Sequence, residues 1–186
     1  MKDKRQVLRI VSVLIMLPAL LIFTLMPWLN EKNDRLGSIE NLKRIHMSLS
    51  AYADGANGNF PEKVGVNGFN QLSSKTPKHY LAPLDKTSEE ADGSLLKERN
   101  TSYAYVGAGL VNSPELAKYP MIIEKPWLTK DPHYIVLFSG EVISSEDMPE
   151  VGKCEDFIRY LSQGETSPTW NKLLENARSV DQACGR

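Results

Sequence analysis

Residues 10–29, IVSVLIMLPALLIFTLMPWL, are a run of twenty uncharged residues that continues directly into residues 30–55, NEKNDRLGSIENLKRIHMSLSAYADG. As an α-helix, the first run spans roughly 30 Å, the thickness of the hydrocarbon core of a bilayer. In the second run apolar residues recur every three or four positions, which predicts one apolar stripe along a helix. The stripe consists of Leu36, Ile39, Leu42, Ile45, Leu49 and Tyr52. The sequence therefore predicts a membrane-spanning segment that continues as an amphipathic helix to about residue 53.

The charges around the apolar run predict its orientation. Four basic residues precede it, Lys2, Lys4, Arg5 and Arg9, against the single acidic residue Asp3. The positive-inside rule places that end in the cytoplasm. We therefore expect a cytoplasmic N-terminus over residues 1–9, a transmembrane helix over residues 10–29 and an extracytoplasmic domain over residues 30–186.

A cleaved signal peptide is the alternative to a permanent anchor. Its apolar region is normally about 7–15 residues long and ends in a small-x-small cleavage site. Here the run is longer and ends in residues 25–30, LMPWLN, without such a site. Trp28 suits the interface between membrane and water. These features favour an uncleaved anchor.

The portion outside the membrane has the composition of one folded domain. The chain of 186 residues is 41% apolar and 24% charged, which is typical of globular proteins. Residues 31–186 carry 18 basic and 22 acidic residues. We expect no nucleic-acid partner, because such binding needs a basic surface that releases counterions.

The elements predicted after the long helix are antiparallel strands followed by short helices, so we expect an α+β fold. Alternation and β-branched residues predict strands at 101–106 and 120–125 and a hairpin of 134–138 with 141–144. Two short helices are predicted at 155–161 and 170–177. Cys154 and Cys184 bracket them. In an oxidising compartment these cysteines predict a disulfide, worth roughly 3–4 kcal/mol, and two free buried thiols are the alternative.

No sequence motif of catalysis or metal binding is present, so we expect no enzyme, no cofactor and no metal. His46, His79 and His133 lie far apart in the sequence and belong to no H-E-x-x-H motif. The sequence also lacks a G-x-S-x-G motif and a phosphate-binding glycine loop. Residues 85–93 form an acidic loop, for which we expect a solvated surface loop, with a divalent cation bound by its carboxylates as the alternative.

Three segments resemble motifs of bacterial type IV pilin-like, or pseudopilin-like, proteins. Residues 41–54, NLKRIHMSLSAYAD, with 57–61, NGNFP, are similar to the family's NLKQIGLAL-x-Y-x-D and NG-x-FP. Residues 102–110, SYAYVGAGL, resemble the family's SY-x-YVGAGL strand, and residues 133–140, HYIVLFSG, resemble its H…DG hairpin motif. The resemblance implies a pilin-like fold, in which a long N-terminal helix packs its second half on an antiparallel sheet. It also implies the inner membrane of a bacterium, with the domain in the periplasm.

The chain departs from the family at three points. No glycine precedes the apolar run and no glutamate lies within it, so the usual prepilin cleavage and filament packing are not implied. The hairpin turn is one residue shorter, with Ser139 and Glu141 in place of the family's residues.

These features predict a membrane-anchored protein that acts by protein–protein contact in an envelope or type II secretion-like assembly. Its expected partners are the bilayer and other envelope proteins, pilin-like subunits among them. The first alternative is an anchored module that binds a glycan or a peptide on Tyr103, Tyr105 and Trp127, although such aromatics are more often part of a core. The second is an envelope enzyme, which would require a cleft with convergent titratable groups.

Overall fold

The computed structural model describes residues 2–73, 75–93, 95–128, 132–145 and 151–186, and the side chains of residues 2–23 lie outside this description. It confirms an α+β fold with a long N-terminal helix, a four-stranded antiparallel sheet and short C-terminal helices. The helices are α1 (Lys2–Gly55), α2 (Gly65–Phe69), α3 (Cys154–Ser162) and α4 (Pro168–Ala183), and the strands are β1 (Tyr103–Tyr105), β2 (Pro120–Glu124), β3 (Tyr134–Leu137) and β4 (Val142–Ser144). Single 3-10 turns lie at Pro77–Tyr80, Glu98–Asn100 and Pro114–Leu116.

The chain divides into two compact units, Met1–Leu36 and Gly37–Arg186. In the first unit the described side chains begin at Thr24, and the apolar ones among them are exposed: Leu25, Met26, Trp28, Leu29 and Leu36. An ion pair of 2.6 Å joins Glu31 to Arg35 one turn later. Most of the predicted transmembrane segment, residues 10–23, lies outside the described side chains. Within the described part of the chain, no helix has the length and apolar character needed to cross a membrane.

The second unit buries the apolar stripe of α1. Leu42, Ile45, Leu49 and Ala53 are at most 1% exposed, and they share one core with strands β1 to β3. Burying each large side chain contributes about 1.5–3 kcal/mol. The predicted stripe is correct from Ile39 onward, whereas Leu36 is exposed and belongs to the first unit.

The sheet is a meander in the order β1-β2-β3-β4, and each neighbouring pair is antiparallel. Ile123 of β2 pairs with Ala104 and with Ile135, and Ile135 pairs with Ile143. All five residues of β2 are buried. Both faces of the sheet are therefore covered at its centre.

Helix α4 packs against the sheet through specific contacts. The side-chain amide of Asn176 donates to the carbonyl oxygens of Val106 and Ala108, at 2.7 and 3.0 Å. The Trp170 ring meets the Tyr119 ring edge-on, with centroids 5.0 Å apart. These contacts hold α4 against the residues that follow β1 and precede β2.

The predicted hairpin is confirmed, and its turn contains Gly140 with φ of +84°, which favours glycine. The strand predicted at 101–106 is shorter, and the helix predicted at 170–177 extends over Pro168–Ala183. Helix α2 was not predicted, because two of its five residues are glycines and it shows no helical period.

Gly68 of α2 lies where no side chain fits. A Cβ atom there would overlap the carbonyl oxygen of Lys63 and the ring of Tyr105. The Tyr105 ring cannot retreat freely, because it is completely buried and its hydroxyl donates to the carbonyl oxygen of Pro61 at 3.1 Å. The absence of a side chain at residue 68 is therefore a packing requirement.

We expect Gly68→Ala to lower the free energy of unfolding by about 1–3 kcal/mol, because overpacking forces the Tyr105 ring or the Lys63 backbone to move. Gly55→Ala is the matched control, since a Cβ at this helical position has no atom within 4 Å. It should be neutral or raise stability by up to about 1 kcal/mol. Urea unfolding of the full chain in detergent, followed by tryptophan fluorescence, measures both. Equal stability of the two variants would contradict the proposed packing.

Candidate functional site

Tyr103 and Tyr105, two of the three candidate binding aromatics, are core residues. Both are 0% exposed, and burial raises the pKa of both phenols. A completely buried ring has no free face on which a sugar or a peptide could stack. Tyr103 and Tyr105 are therefore part of the core, which was the alternative for them, and they do not form a stacking surface.

Trp127, the third candidate binding aromatic, has different surroundings. It is partly buried and packs against the core. The guanidinium of Arg186 lies over its ring, 5.1 Å from the ring centroid. Because Tyr103 and Tyr105 are buried and Arg186 covers one face of Trp127, the three candidate aromatics do not form a common exposed surface.

Cys154 and Cys184 are free thiols in the structure, which therefore lacks the predicted disulfide. Cys154 begins α3 and is completely buried, whereas Cys184 follows α4 and is partly buried. The Cys184 thiol donates to Oε2 of Glu98 at 3.5 Å, and the same oxygen pairs with Nζ of Lys125 at 2.8 Å. Burial raises the pKa of Cys184 to about 11 and raises that of Cys154 as well. Both are held as thiols, the form that reacts slowly in disulfide exchange.

The carboxylate of Asp85, at the start of the acidic loop, organises a turn. It accepts hydrogen bonds from the backbone N–H groups of Thr87 and Ser88 at 2.8 and 3.0 Å and from the Ser102 hydroxyl at 2.7 Å. Among the described residues, no three histidine, cysteine, aspartate or glutamate side chains converge on a position where a metal ion could be held.

The three histidines have separate surroundings. Nε2 of His46 lies 3.2 Å from the carbonyl oxygen of Phe138, so this residue joins α1 to the end of β3. His133 is buried, with its ring 5.7 Å from that of Phe157. His79 lies in the 3-10 turn Pro77–Tyr80, at the edge of an open groove.

This groove runs along α1 and has a volume of about 720 Å³. One wall is α1 from Glu40 to Tyr52, and the other is formed by Leu72, Ser73, Thr76, His79 and Tyr80. Its floor contains the buried side chains of Ile45, Leu72 and Tyr80. Met47 stands on the α1 wall and is 68% exposed. The groove thus combines an apolar floor with a large apolar side chain in contact with water.

The groove is locally basic. Lys43 and Arg44 lie on its α1 wall, and Arg44 pairs with Glu40. Burial, followed by the charges of Arg44 and Lys78, lowers the pKa of His79. Burial is the larger cause of this shift, and the two neighbouring cations add to it.

A buried polar cluster of Ser38, Tyr103 and Glu124 lies between α1 and the sheet. Glu124 is 2% exposed, and its carboxyl accepts a hydrogen bond from the backbone N–H of Tyr134 at 2.9 Å. Ser38 faces both the Glu124 carboxyl and the Tyr103 hydroxyl. In the described part of the chain, the hydroxyls of Ser38 and Tyr103 have no well-formed hydrogen bond.

Among the described residues, no cation forms an ion pair with the Glu124 carboxyl in this cluster. Burial raises its pKa to about 7, and the hydrogen bond from the Tyr134 N–H and the nearby Ser38 hydroxyl oppose that shift only in part. Neighbouring Lys125 is engaged by Glu98 instead. This cluster could not be predicted from the sequence, since its three residues come from separate elements and form no spaced motif.

Comparison of the chain with protein-family models, with curated proteins and with solved structures found no match. The resemblance to pilin-like proteins is therefore a hypothesis from short motifs.

The buried carboxyl predicts a stability that depends on pH. Its folded-state pKa of about 7 lies above the ordinary value of 4.5. Between these values the native state retains a proton that the unfolded state has lost, so stability falls as pH rises from about 4.5 to about 7. At pH 8, Glu124→Gln should be more stable than the unaltered chain by roughly 2–4 kcal/mol, since it removes the buried charge. Urea unfolding from pH 4 to 8 measures the dependence.

Glu115→Gln is the matched control, because it makes the same change at an exposed position. It should alter stability by less than about 0.5 kcal/mol at any pH in this range. A Glu124→Gln variant with the same pH dependence as the unaltered chain would show that another group titrates.

Proposed function

We propose that this chain is a membrane-anchored, pseudopilin-like protein that acts by protein–protein contact in a bacterial envelope or type II secretion-like assembly. The observation that carries the proposal is α1. It is one helix from Lys2 to Gly55, and its C-terminal part supplies a central stripe of the core. Residues 10–29 of the same helix are uncharged. A helix of this kind can join a folded domain to a bilayer.

The residues that follow the uncharged run support an interfacial position. Trp28 is exposed, and Nζ of Lys32 lies over its ring, 5.5 Å from the centroid. An indole ring and a lysine one turn apart suit the headgroup region, where the apolar parts of both side chains meet lipid and the polar parts meet water.

The motifs that resemble pilin-like proteins occupy positions that support a pilin-like arrangement of helix and sheet. Phe60 is buried, its ring centroid lies 5.1 Å from that of Phe138, and its N–H donates to the carbonyl oxygen of Leu110 at 3.2 Å. Gly107 packs against the same ring, because a Cβ atom at residue 107 would lie only 2.7 Å from Cζ of Phe138. Through these contacts the segment after α1 is packed against the sheet.

The groove favours protein contact over the alternative of glycan binding. Tyr103 and Tyr105 are buried, so the aromatic surface which that alternative required is missing from the described residues. Exposed Met47 beside an apolar floor is instead typical of a surface that another polypeptide covers.

We expect the full chain to remain in the membrane fraction after washes with high salt and with alkaline carbonate. A variant lacking residues 1–29 should move to the soluble fraction, and replacing these residues with an unrelated transmembrane helix should restore retention. Mass spectrometry of the native protein should find an intact N-terminus. Release by high salt, or a cut near Met26, would contradict the anchor.

Contact through the groove is tested by a photo-crosslinking amino acid at position 47 in living cells. It should yield a discrete adduct of higher mass in the membrane fraction. The same amino acid at position 95 is the control, because Leu95 has a similar exposure of 66% and does not line the groove. No adduct at position 47, or the same adducts at both positions, would contradict protein contact there.

A further inference from the structure

The groove has the opposite charge to the domain that contains it. Residues 31–186 carry an excess of four acidic residues. Among the described residues that line the groove, by contrast, Lys43 and Arg44 stand against Glu40 alone, and Lys78 lies outside the lining but next to His79. Glu40 is already bonded to Arg44, and within the described residues neither Lys43 nor Lys78 has an ion-pair partner. The groove is therefore a local basic patch with two uncompensated lysines.

The arrangement of side chains adds an apolar requirement to this charge. Lys43, Met47 and Ala51 follow one another at single-turn intervals along α1, so the positive charge and the exposed methionine lie on one line. Exposed Ser73 and Thr76 line the groove on the facing wall. A ligand that fills the groove meets an apolar floor at its centre and cations at its rim.

An acidic polypeptide matches both properties. Carboxylate side chains can reach the rim lysines while an apolar side chain of the same segment covers the floor. A long polyanion matches less well, because it has no large apolar side chain and the acidic remainder of the domain repels it. The combination of an apolar floor and basic side chains therefore favours a short acidic protein segment, which contacts the groove and avoids the acidic remainder of the domain.

We propose that this groove binds an acidic segment of a partner protein, which places a large apolar side chain against Met47 and carboxylates against Lys43 and Lys78. The proposal rests on the proposed function, in which the domain acts by protein contact, and it specifies the class of partner. The carboxylates also bring negative charge toward His79, so occupancy raises the pKa of that imidazole.

Peptide titrations of the full chain in detergent test the proposal. The chain carries ¹³C-methyl methionine, and Met47 is observed by NMR, with buried Met121 as an internal reference for intact folding. The probes are three eight-residue peptides. Acetyl-EELFELEE-amide is acidic with an apolar centre, acetyl-KKLFKLKK-amide has the opposite charge, and acetyl-EESGESEE-amide lacks the apolar residues.

The acidic apolar peptide should shift the Met47 methyl signal, raise the His79 pKa and bind at least about tenfold more tightly than either other peptide. Lys43→Glu should weaken its binding about tenfold. Lys118→Glu is the matched control, because Lys118 is exposed and does not line the groove, and it should leave binding unchanged.

Three results would overturn the proposal: equal affinity for the acidic and basic peptides, no effect of Lys43→Glu, or displacement of the acidic peptide by an oligothymidylate at equal concentration. These results differ from a failure of the proposed function. If position 47 forms an adduct in cells but the peptides bind without charge preference, protein contact stands and the acidic partner is rejected. If no adduct forms, the contact itself is rejected.

Discussion

The packing of one face of α1 into the core is the interaction on which the rest of the structure depends. Leu42, Ile45, Leu49 and Ala53 are buried together with the central strands, and β2 is covered on both faces. Without α1, the core side chains on one face of the four-stranded meander would meet water, which costs about 25 cal/mol for each Å² of apolar surface exposed. The close approach extends to Gly37, where a Cβ would lie 2.9 Å from the Pro83 ring. The helix therefore holds the sheet together and also supplies one wall of the groove.

The same interface contains its own weak point. Within the described part of the chain, the Glu124 carboxyl at the junction of α1 and β2 has no cation as a partner, and the hydroxyls of Ser38 and Tyr103 beside it lack well-formed hydrogen bonds. A protonated carboxyl can be accommodated there, whereas a carboxylate must be desolvated without compensation. The strength of the helix–sheet junction thus depends on one proton. An apolar residue at position 124 would avoid that dependence.

Periodicity and turn chemistry were sufficient to predict most of the elements but not the functional surfaces. The α1 stripe and the 134–144 hairpin followed from spacing, since each buries one regular set of side chains. The burial of Glu124 could not be predicted from the sequence of β2, because it depends on both faces of the sheet being covered. The groove could not be predicted, since its walls come from two elements that are far apart in the sequence: Met47 belongs to α1, and His79 belongs to the 3-10 turn Pro77–Tyr80. Burial of Tyr105 likewise depends on α2, whose Gly68 and Phe69 contact its ring and which shows no helical period in its sequence.

The resemblance to pilin-like motifs divides into two sets of positions with different physical roles. Leu42, Ile45 and Leu49 agree with the NLKQIGLAL motif, and all three are buried in the core. Within the same stretch the chain has Arg44, His46, Met47 and Ser48 where the motif has Gln, Gly, Leu and Ala, and of these Arg44, Met47 and Ser48 line the groove. Agreement at buried positions is what a shared helix–sheet packing requires and says little about partners. Lys43 also lines the groove and agrees with the motif, whereas the neighbouring Arg44, Met47 and Ser48 differ from it. The shape and apolar character of the groove are therefore more particular to this chain than its lysine.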